Sequence, residues 1–352
     1  MQYWLVISCI ALAILGAVKA YTKEFSYAEF FVSFILVAVI SGIIIAVVSY
    51  TNMSDIQIIN GQVVNKEMEQ VHCRHSYSCH CYTTCSGSGS NRHCSEYCQT
   101  CYRHKFDQDW TVFTTVGNFD IDTIDSQGLI EPPSYTAAYI GEPAQARSLY
   151  QNYIKASPDS LFHKITSHKY VIPQYPDKVT GYYHHNRVVV VNANINFSSE
   201  VNQLLNNFLI TLGPKKQVNI VPVFTNYDRD FGESLEQEWI GGKKNDVVIV
   251  IGLDKDQRTI KWTKVFSWSK STLVNYEIQD YVMAMKEFDP DKFVFGVAGI
   301  IDKSFVRRSM KEFEYLKDSI EPPDWAIVTG IILMLVSVVG CSFYFSRKDI
   351  QL

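Results

Sequence analysis

The sequence predicts a membrane protein in which transmembrane helices flank an α/β soluble domain, a sheet with helices on its faces, plus a small Cys/His-stapled module. Three observations carry that fold class. Two uncharged runs, Phe30–Tyr50 and Trp325–Phe345, lie near opposite ends of the 352-residue chain. Strand-like and helix-like patterns alternate from Arg187 onward. Seven of the nine cysteines and five of the nine histidines crowd into His72–His104.

The apolar runs come first. A helix rises about 1.5 Å per residue, so about 20 residues cross a hydrocarbon core of roughly 30 Å. Both runs meet that length, and each has aromatic residues at both ends, where headgroups lie. Tyr3–Val18 is shorter and reads as a third span. The alternative is a signal peptide cut near Val18-Lys19-Ala20, although Met1-Gln2 supplies no positive n-region. Residues 1–50 thus hold two spans, 325–345 the last, and 346–352 a cytoplasmic tail.

Orientation follows the basic residues. Lys19 and Lys23 lie between the first two runs, and Arg347 and Lys348 follow the last. Three spans place all four on one side, which the positive-inside rule makes cytoplasmic. Residues 51–324 then face outward from a cell (inner) membrane. A cleaved signal peptide would reverse this. The expected partners are the lipid bilayer and an unidentified membrane or envelope protein. A net charge of −4 gives no nucleic-acid signature.

Residues 51–70 read as a strand-rich entry with Asn60-Gly61 as a hairpin turn. The Cys/His module occupies 71–106, with Ser86–Asn91 (SGSGSN) as a flexible linker between its halves. Trp110–Val116 alternates like a strand ended by Gly117-Asn118. Residues 107–186 are otherwise irregular, with short strands and a helix near Ala144–Ala156.

From Arg187 the pattern sharpens. "RVVVVNANI" reads as a buried strand. Ser198 caps a helix with Val201, Leu204, Leu205, Phe208 and Leu212 on one face, stopped by Gly213. Val218–Thr225 is a second strand, and a short helix over Phe231–Trp239 ends at Gly241-Gly242. Asp246–Leu253 is apolar on both faces and so central. "RTIKWTKVF" alternates like an edge strand. Helices follow over Leu273–Phe288 and Pro290–Leu316.

One segment, "ESLEQEWIGGKKNDVVIVIGLDKDQRTIKW", resembles the TPM-domain family. Trp239, Ile240, Gly241, Gly242, Val247–Ile251, Asp254, Arg258 and Ile260 fit its outline: a helix ending in Trp, a glycine turn, an apolar strand and an acidic turn. The resemblance covers about residues 187–312, within a domain spanning 187–320. It implies a membrane-anchored, extracytoplasmic α/β domain. This chain departs from the family at Lys244-Asn245-Asp246, where Asp-Asn-Gly is usual, and at Phe266–Ser269, where Gly-Tyr-Gly is usual.

Three chemistries compete for the cysteine cluster. Outside the cytoplasm Cys73, Cys79, Cys81, Cys85, Cys94, Cys98 and Cys101 would pair as disulfides, with one thiol left over. Zinc takes four ligands from Cys and His. Cys98-x-x-Cys101-x-x-His104 offers one half-site, Cys94/Cys98 and Cys81/Cys85 are spaced one helical turn apart, and Cys73, His75, Cys79, His80 and Cys81 could supply the rest. A reactive thiol is the third possibility. Cys9 and Cys341 lie in apolar runs and read as small apolar residues.

A second metal candidate is acidic. Asp228, Asp230 and Glu233 follow the second strand of the domain, and Asp254 and Asp256 follow the third. With Asp246 they form a candidate calcium or magnesium site at strand ends. Solvated turn residues are the plainer account. Gly241–Lys244 lacks the spacing of a phosphate loop, and His184-His185 reads as a pre-strand surface pair. The expected function is an interaction or assembly scaffold without turnover. Alternatives are a metal-dependent phosphatase-like enzyme using the aspartates and a zinc protein with a cytoplasmic domain.

Overall fold

The computed structural model describes residues 27–87, 92–158, 160, 169–320 and 323–348, with isolated positions 10, 13 and 16. The Tyr3–Val18 run, apart from those three positions, and the Lys19/Lys23 turn lie outside the described residues.

Among the described residues, two helices are long and apolar enough to cross a membrane. α1 runs Tyr27–Met53. The last helix, Asp324–Lys348, is α8 once those between are counted. Val37 and Val48 on α1 pack with Ala326 and Met334 on α8. Less than a fifth of either apolar window is buried. Phe31, Phe34, Ile35, Val39, Ile332, Val336 and Val339 stand exposed.

α1 leads directly into β1, an 18-residue strand over Ser54–Val71. Asn60-Gly61 makes no hairpin turn, contrary to the expectation. Both residues lie inside the strand, where Asn60 faces Gln145 and Gly61 faces Ala144. A Cβ on Gly61 would collide with the Thr115 hydroxyl, so the glycine serves close approach rather than a turn. Around Val63 a bulge changes the strand's partner. Ser54–Gln62 pairs with β6 (Pro143–Gln151), and Val63–Val71 pairs with β4 (Asp107–Thr114). β5 (Gly117–Ile121) completes an antiparallel sheet of order β5-β4-β1-β6. Its core gathers Val63, Trp110, Val112, Ile121 and Tyr135, the last from the short helix α2 (Pro133–Ala137). The helix expected near Ala144–Ala156 is mostly β6; only Tyr153–Ala156 is helical, as α3. β2 (Ser76–Ser86) and β3 (His93–Tyr102) form a separate two-stranded ladder, and β7 (Val179–Thr180) pairs with β8 (His184–His185).

The second sheet has the order β12-β11-β10-β9. β9 (Val189–Val191) is shorter than its valine run suggests, because Asn192 turns left-handed at φ 52°. β10 (Asn219–Thr225) runs parallel to β9 and to β11 (Asp246–Leu253), while β12 (Ile260–Ser267) closes the edge antiparallel. Every residue of β11 is buried, as its unbroken apolar run predicts. Val247, Ile249 and Ile251 face the helices α4 (Ser198–Lys216), α6 (Leu273–Ala284) and α7 (Pro290–Ser304). Val248 and Val250 face α5 (Asp230–Glu238) together with Tyr170 and Trp239.

Several boundaries differ from expectation. Ser198 is the first residue of α4 and makes no cap bond. Gly213 does not stop the helix; it lies against Asn60 of β1, where a Cβ would not fit, and α4 continues to Lys216 before Gln217 turns left-handed. The helix expected over Pro290–Leu316 breaks at Phe305 and resumes as a 3-10 helix, Met310–Ser319. That helix packs Met310 and Leu316 against Met53, Tyr153 and Ile154. The cluster joins the end of α1 to the approach to α8.

Candidate metal centre

β2 and β3 are exposed on both faces and lack a hydrophobic core. Cystine pairing supplies cohesion instead. Cys79 and Cys101, Cys81 and Cys98, and Cys85 and Cys94 lie at disulfide distance. Cys85 faces Cys94 directly in the antiparallel register, and a bulge between Cys79 and Tyr82, with His80 at φ 47°, brings Cys81 to Cys98. Six of the seven clustered cysteines are thereby used. The Cys81/Cys85 and Cys94/Cys98 spacings fall on strands, not on helical turns. A sulfur in a disulfide has no thiolate to offer, so Cys79, Cys81, Cys85, Cys94, Cys98 and Cys101 are not metal ligands in this state.

Cys73 is the seventh. It is free and only 1% exposed. It lies at the neck of the hairpin, just after β1 ends. The return strand passes beside it: the Arg103 N–H donates to the His75 carbonyl at 3.0 Å, and Asp107 pairs with Val71 to begin the β1–β4 ladder. This closure gathers the side chains of Cys73, His75, His104 and Asp107, whose ligand atoms all lie within 4.8 Å of one another. Cys73 Sγ is 3.8 Å from His104 Nδ1. His104 Nδ1 is 3.2 Å from Asp107 Oδ1, and His75 Nδ1 is 3.3 Å from Asp107 Oδ2. The Arg74 N–H donates to Asp107 Oδ2 at 2.8 Å. That bond foremost, with help from His104 and Cys73, holds the Asp107 carboxyl below its ordinary range against the opposing effect of burial. A thiol, two imidazoles and a carboxylate so placed can hold a metal ion.

Of the ten Cys and His residues singled out in the module, the structure brings Cys73, His75 and His104 into this group, puts six in cystines and leaves His80 beside the Cys79–Cys101 pair. His75 lies within the spacing weighed from the sequence. Asp107 does not; its only signal is a carboxylate three residues after His104.

The acidic candidates behave differently. Asp228 accepts from the Tyr170 hydroxyl and from Lys169 Nζ at 3.2 Å, and these bonds lower its pKa. Asp254 pairs with Lys261 at 2.9 Å, which lowers its pKa. Asp256 accepts from Thr259 Oγ1 and from the N–H groups of Arg258 and Thr259, the sidechain bond foremost in lowering its pKa. Asp230 opens α5. Asp246 begins β11 at the opposite end of the strand from Asp254, 2% exposed, with its carboxylate taken by the Tyr175 hydroxyl and Asn219 Nδ2. Among the described residues, no convergent group of ligand atoms includes any of the five.

Asp246 belongs instead to a buried network that sequence reasoning missed. Arg187 is fully buried. It donates to Asn219, to Asn60 Oδ1 at 3.2 Å and to Asn206 Oδ1 at 2.5 Å. Asn245 Nδ2 donates to the Ile58 carbonyl at 2.6 Å, so this network ties β1 to the α/β domain. Burial pushes the Arg187 pKa down to about 9 and the Asp246 pKa up. Nearby, Lys243 Nζ pairs with buried Asp55, two residues beyond α1.

No protein-family model matches this chain, and no curated protein or solved structure compared with it matches either.

Proposed function

We propose that this is an integral membrane protein whose central region faces outward and acts as an interaction scaffold, with the cystine hairpin as its presented element. The observation that carries this reading is the surface of that hairpin. Tyr77, Tyr82, Tyr97 and Tyr102 are 45% to 61% exposed on a ladder held by three cystine pairs. Tyr82 and Tyr97 stack at 5.9 Å. Tyrosine gives large contact area with few rotatable bonds, and a stapled ladder limits the entropy lost on docking. β1 supports the reach: 18 residues at about 3.3 Å each separate the end of α1 from the hairpin neck by roughly 60 Å of chain.

The anchoring rests on α1 and α8, whose apolar surfaces are exposed rather than buried, as lipid-facing helices require. Outward orientation is supported by the cystine pairs, which persist in oxidising compartments. It agrees with the charge asymmetry at the membrane ends and with the TPM-domain resemblance over residues 187–312. Partners in this reading are the bilayer and a membrane or envelope protein. Zinc is the ion assigned to the module's remaining Cys/His donors.

A photo-crosslinking amino acid placed at Tyr82 or Tyr97, in native membranes, tests the scaffold. The expected result is a discrete protein adduct that disappears when the cystines are replaced by serines. Tyr276, 64% exposed on α6, serves as the comparison position. Adducts no stronger at the hairpin than at Tyr276 would refute docking through this element.

A further inference from the structure

We infer that Cys73, His75, His104 and Asp107 form a tetrahedral zinc site that clamps the root of the cystine hairpin onto the β1–β4 ladder. This goes beyond the scaffold reading and stands whether or not the hairpin docks a partner.

Geometry is the first argument. Zinc binds thiolate at about 2.3 Å and imidazole or carboxylate at about 2.0–2.2 Å. Ligand atoms at the corners of such a tetrahedron are therefore about 3.2–3.8 Å apart. Cys73 Sγ and Asp107 Oδ1 lie 3.8 and 3.2 Å from His104 Nδ1, while His75 Nδ1 lies 3.3 Å from the other carboxylate oxygen, Oδ2. Four ligand atoms from two chain segments, one entering and one leaving the hairpin, meet within 4.8 Å of one another.

Chemistry is the second argument, and it separates the clamp from a catalytic triad. A Cys-His-Asp triad holds the thiol on one imidazole nitrogen and the carboxylate on the other. Here Cys73 and Asp107 both approach Nδ1 of His104. One nitrogen cannot relay a proton between them, but it can share a metal with both. Cys73 is also nearly closed to solvent, unlike a working nucleophile. His75 adds a fourth donor, for which a triad has no use.

The arrangement explains the odd cysteine. Six thiols pair along the ladder, and the seventh lies beyond it, at the neck. Zinc binding takes the thiol proton off Cys73 and keeps the sulfur from oxidation. All four ligands fill the tetrahedron, so the site is structural, with no open position for substrate.

The test uses the full chain in detergent, with Cys9→Ser and Cys341→Ser so that Cys73 is the one unpaired thiol. Metal analysis after zinc loading should find one zinc per chain. Cobalt(II) in its place should show tetrahedral bands with thiolate charge transfer. Cys73→Ser and His104→Gln should each lose the zinc while unreduced alkylation still shows three intact cystines. Asp107→Asn replaces either variant should its cystines scramble. Chelation should speed amide exchange at residues 71–76 and 102–107. A parent chain that takes up no zinc overturns the inference, as does a Cys73→Ser chain with intact cystines and full zinc content.

Discussion

His185 shows how burial creates a pH response. It is 1% exposed, its Nδ1 donates to the Lys178 carbonyl at 2.9 Å, and its Nε2 has no hydrogen-bond partner. Burial foremost, and Arg187 next, push its pKa from 6.5 to about 3. Below pH about 6.5 the unfolded chain takes up a proton that the folded chain refuses. Stability therefore falls on acidification through this window, by up to about 1.4 kcal/mol per pH unit. The expected outcome is a denaturation midpoint that declines from pH 6.5 toward 4, with a shallower decline in His185→Phe. Equal slopes in the two chains would rule this out. Arg187 makes the companion case. Arg187→Met removes the cation from three asparagine oxygens and leaves Asp246 buried beside them, at a cost of about 3–5 kcal/mol. Arg187→Lys should recover little, because one ammonium cannot reproduce the fork that meets Asn60, Asn206 and Asn219. Urea titration of the three chains checks both statements.

At the scale of elements, the hairpin and the sheets differ in what holds them. β11 is secured by burial on both faces, whereas β2 and β3 have little apolar burial to lose. Each cystine closing a loop of this size contributes about 2–4 kcal/mol. Mild reduction should thus release the hairpin while leaving the β9–β12 sheet folded. Amide exchange would rise over Ser76–Tyr102 and stay slow over Asp246–Leu253; loss of protection in both together would contradict the separation. Gly61→Ala should weaken the β1–β6 pairing by about 1–3 kcal/mol, because the added methyl meets Thr115. These contrasts also explain what was legible in the sequence. β11 was readable because eight successive buried residues leave one solution, and β12 because its alternation marks an edge. β6 was not, since its alanines favour a helix locally and only the distant partner β1 overrides them. Asn60-Gly61 failed for the same reason: the hairpin signal is local, while the contact that needs the glycine lies 54 residues away at Thr115. In the candidate site the crowding of Cys and His was plain. The pairing was not, because seven cysteines with one left over allow about 105 sets of three bridges, seven choices of the odd thiol times 15, and register alone chooses among them. Asp107 was invisible until the β1–β4 ladder brought it back to Cys73.

For the whole molecule, anchoring and redox state make one joint prediction. Met53 and the 3-10 helix before α8 meet in one cluster, so both apolar helices leave the domain from the same end. The hairpin neck is separated from that end by the full length of β1. Arg347 and Lys348 close the far end of α8, away from the domain. If those charges stay in the cytoplasm, the domain and its cystines must lie across the bilayer. Protease added to intact spheroplasts should then cleave between residues 54 and 320, while an epitope joined after Lys348 stays protected until detergent is added. The same preparation, alkylated without reductant, should leave Cys79, Cys81, Cys85, Cys94, Cys98 and Cys101 unlabelled. A protected domain with six reactive thiols would put it in the cytoplasm and make the cystine ladder a set of free cysteines. Digestion together with labelling at all six would separate topology from oxidation, and the outward scaffold would then have no staple to hold its tyrosines in place.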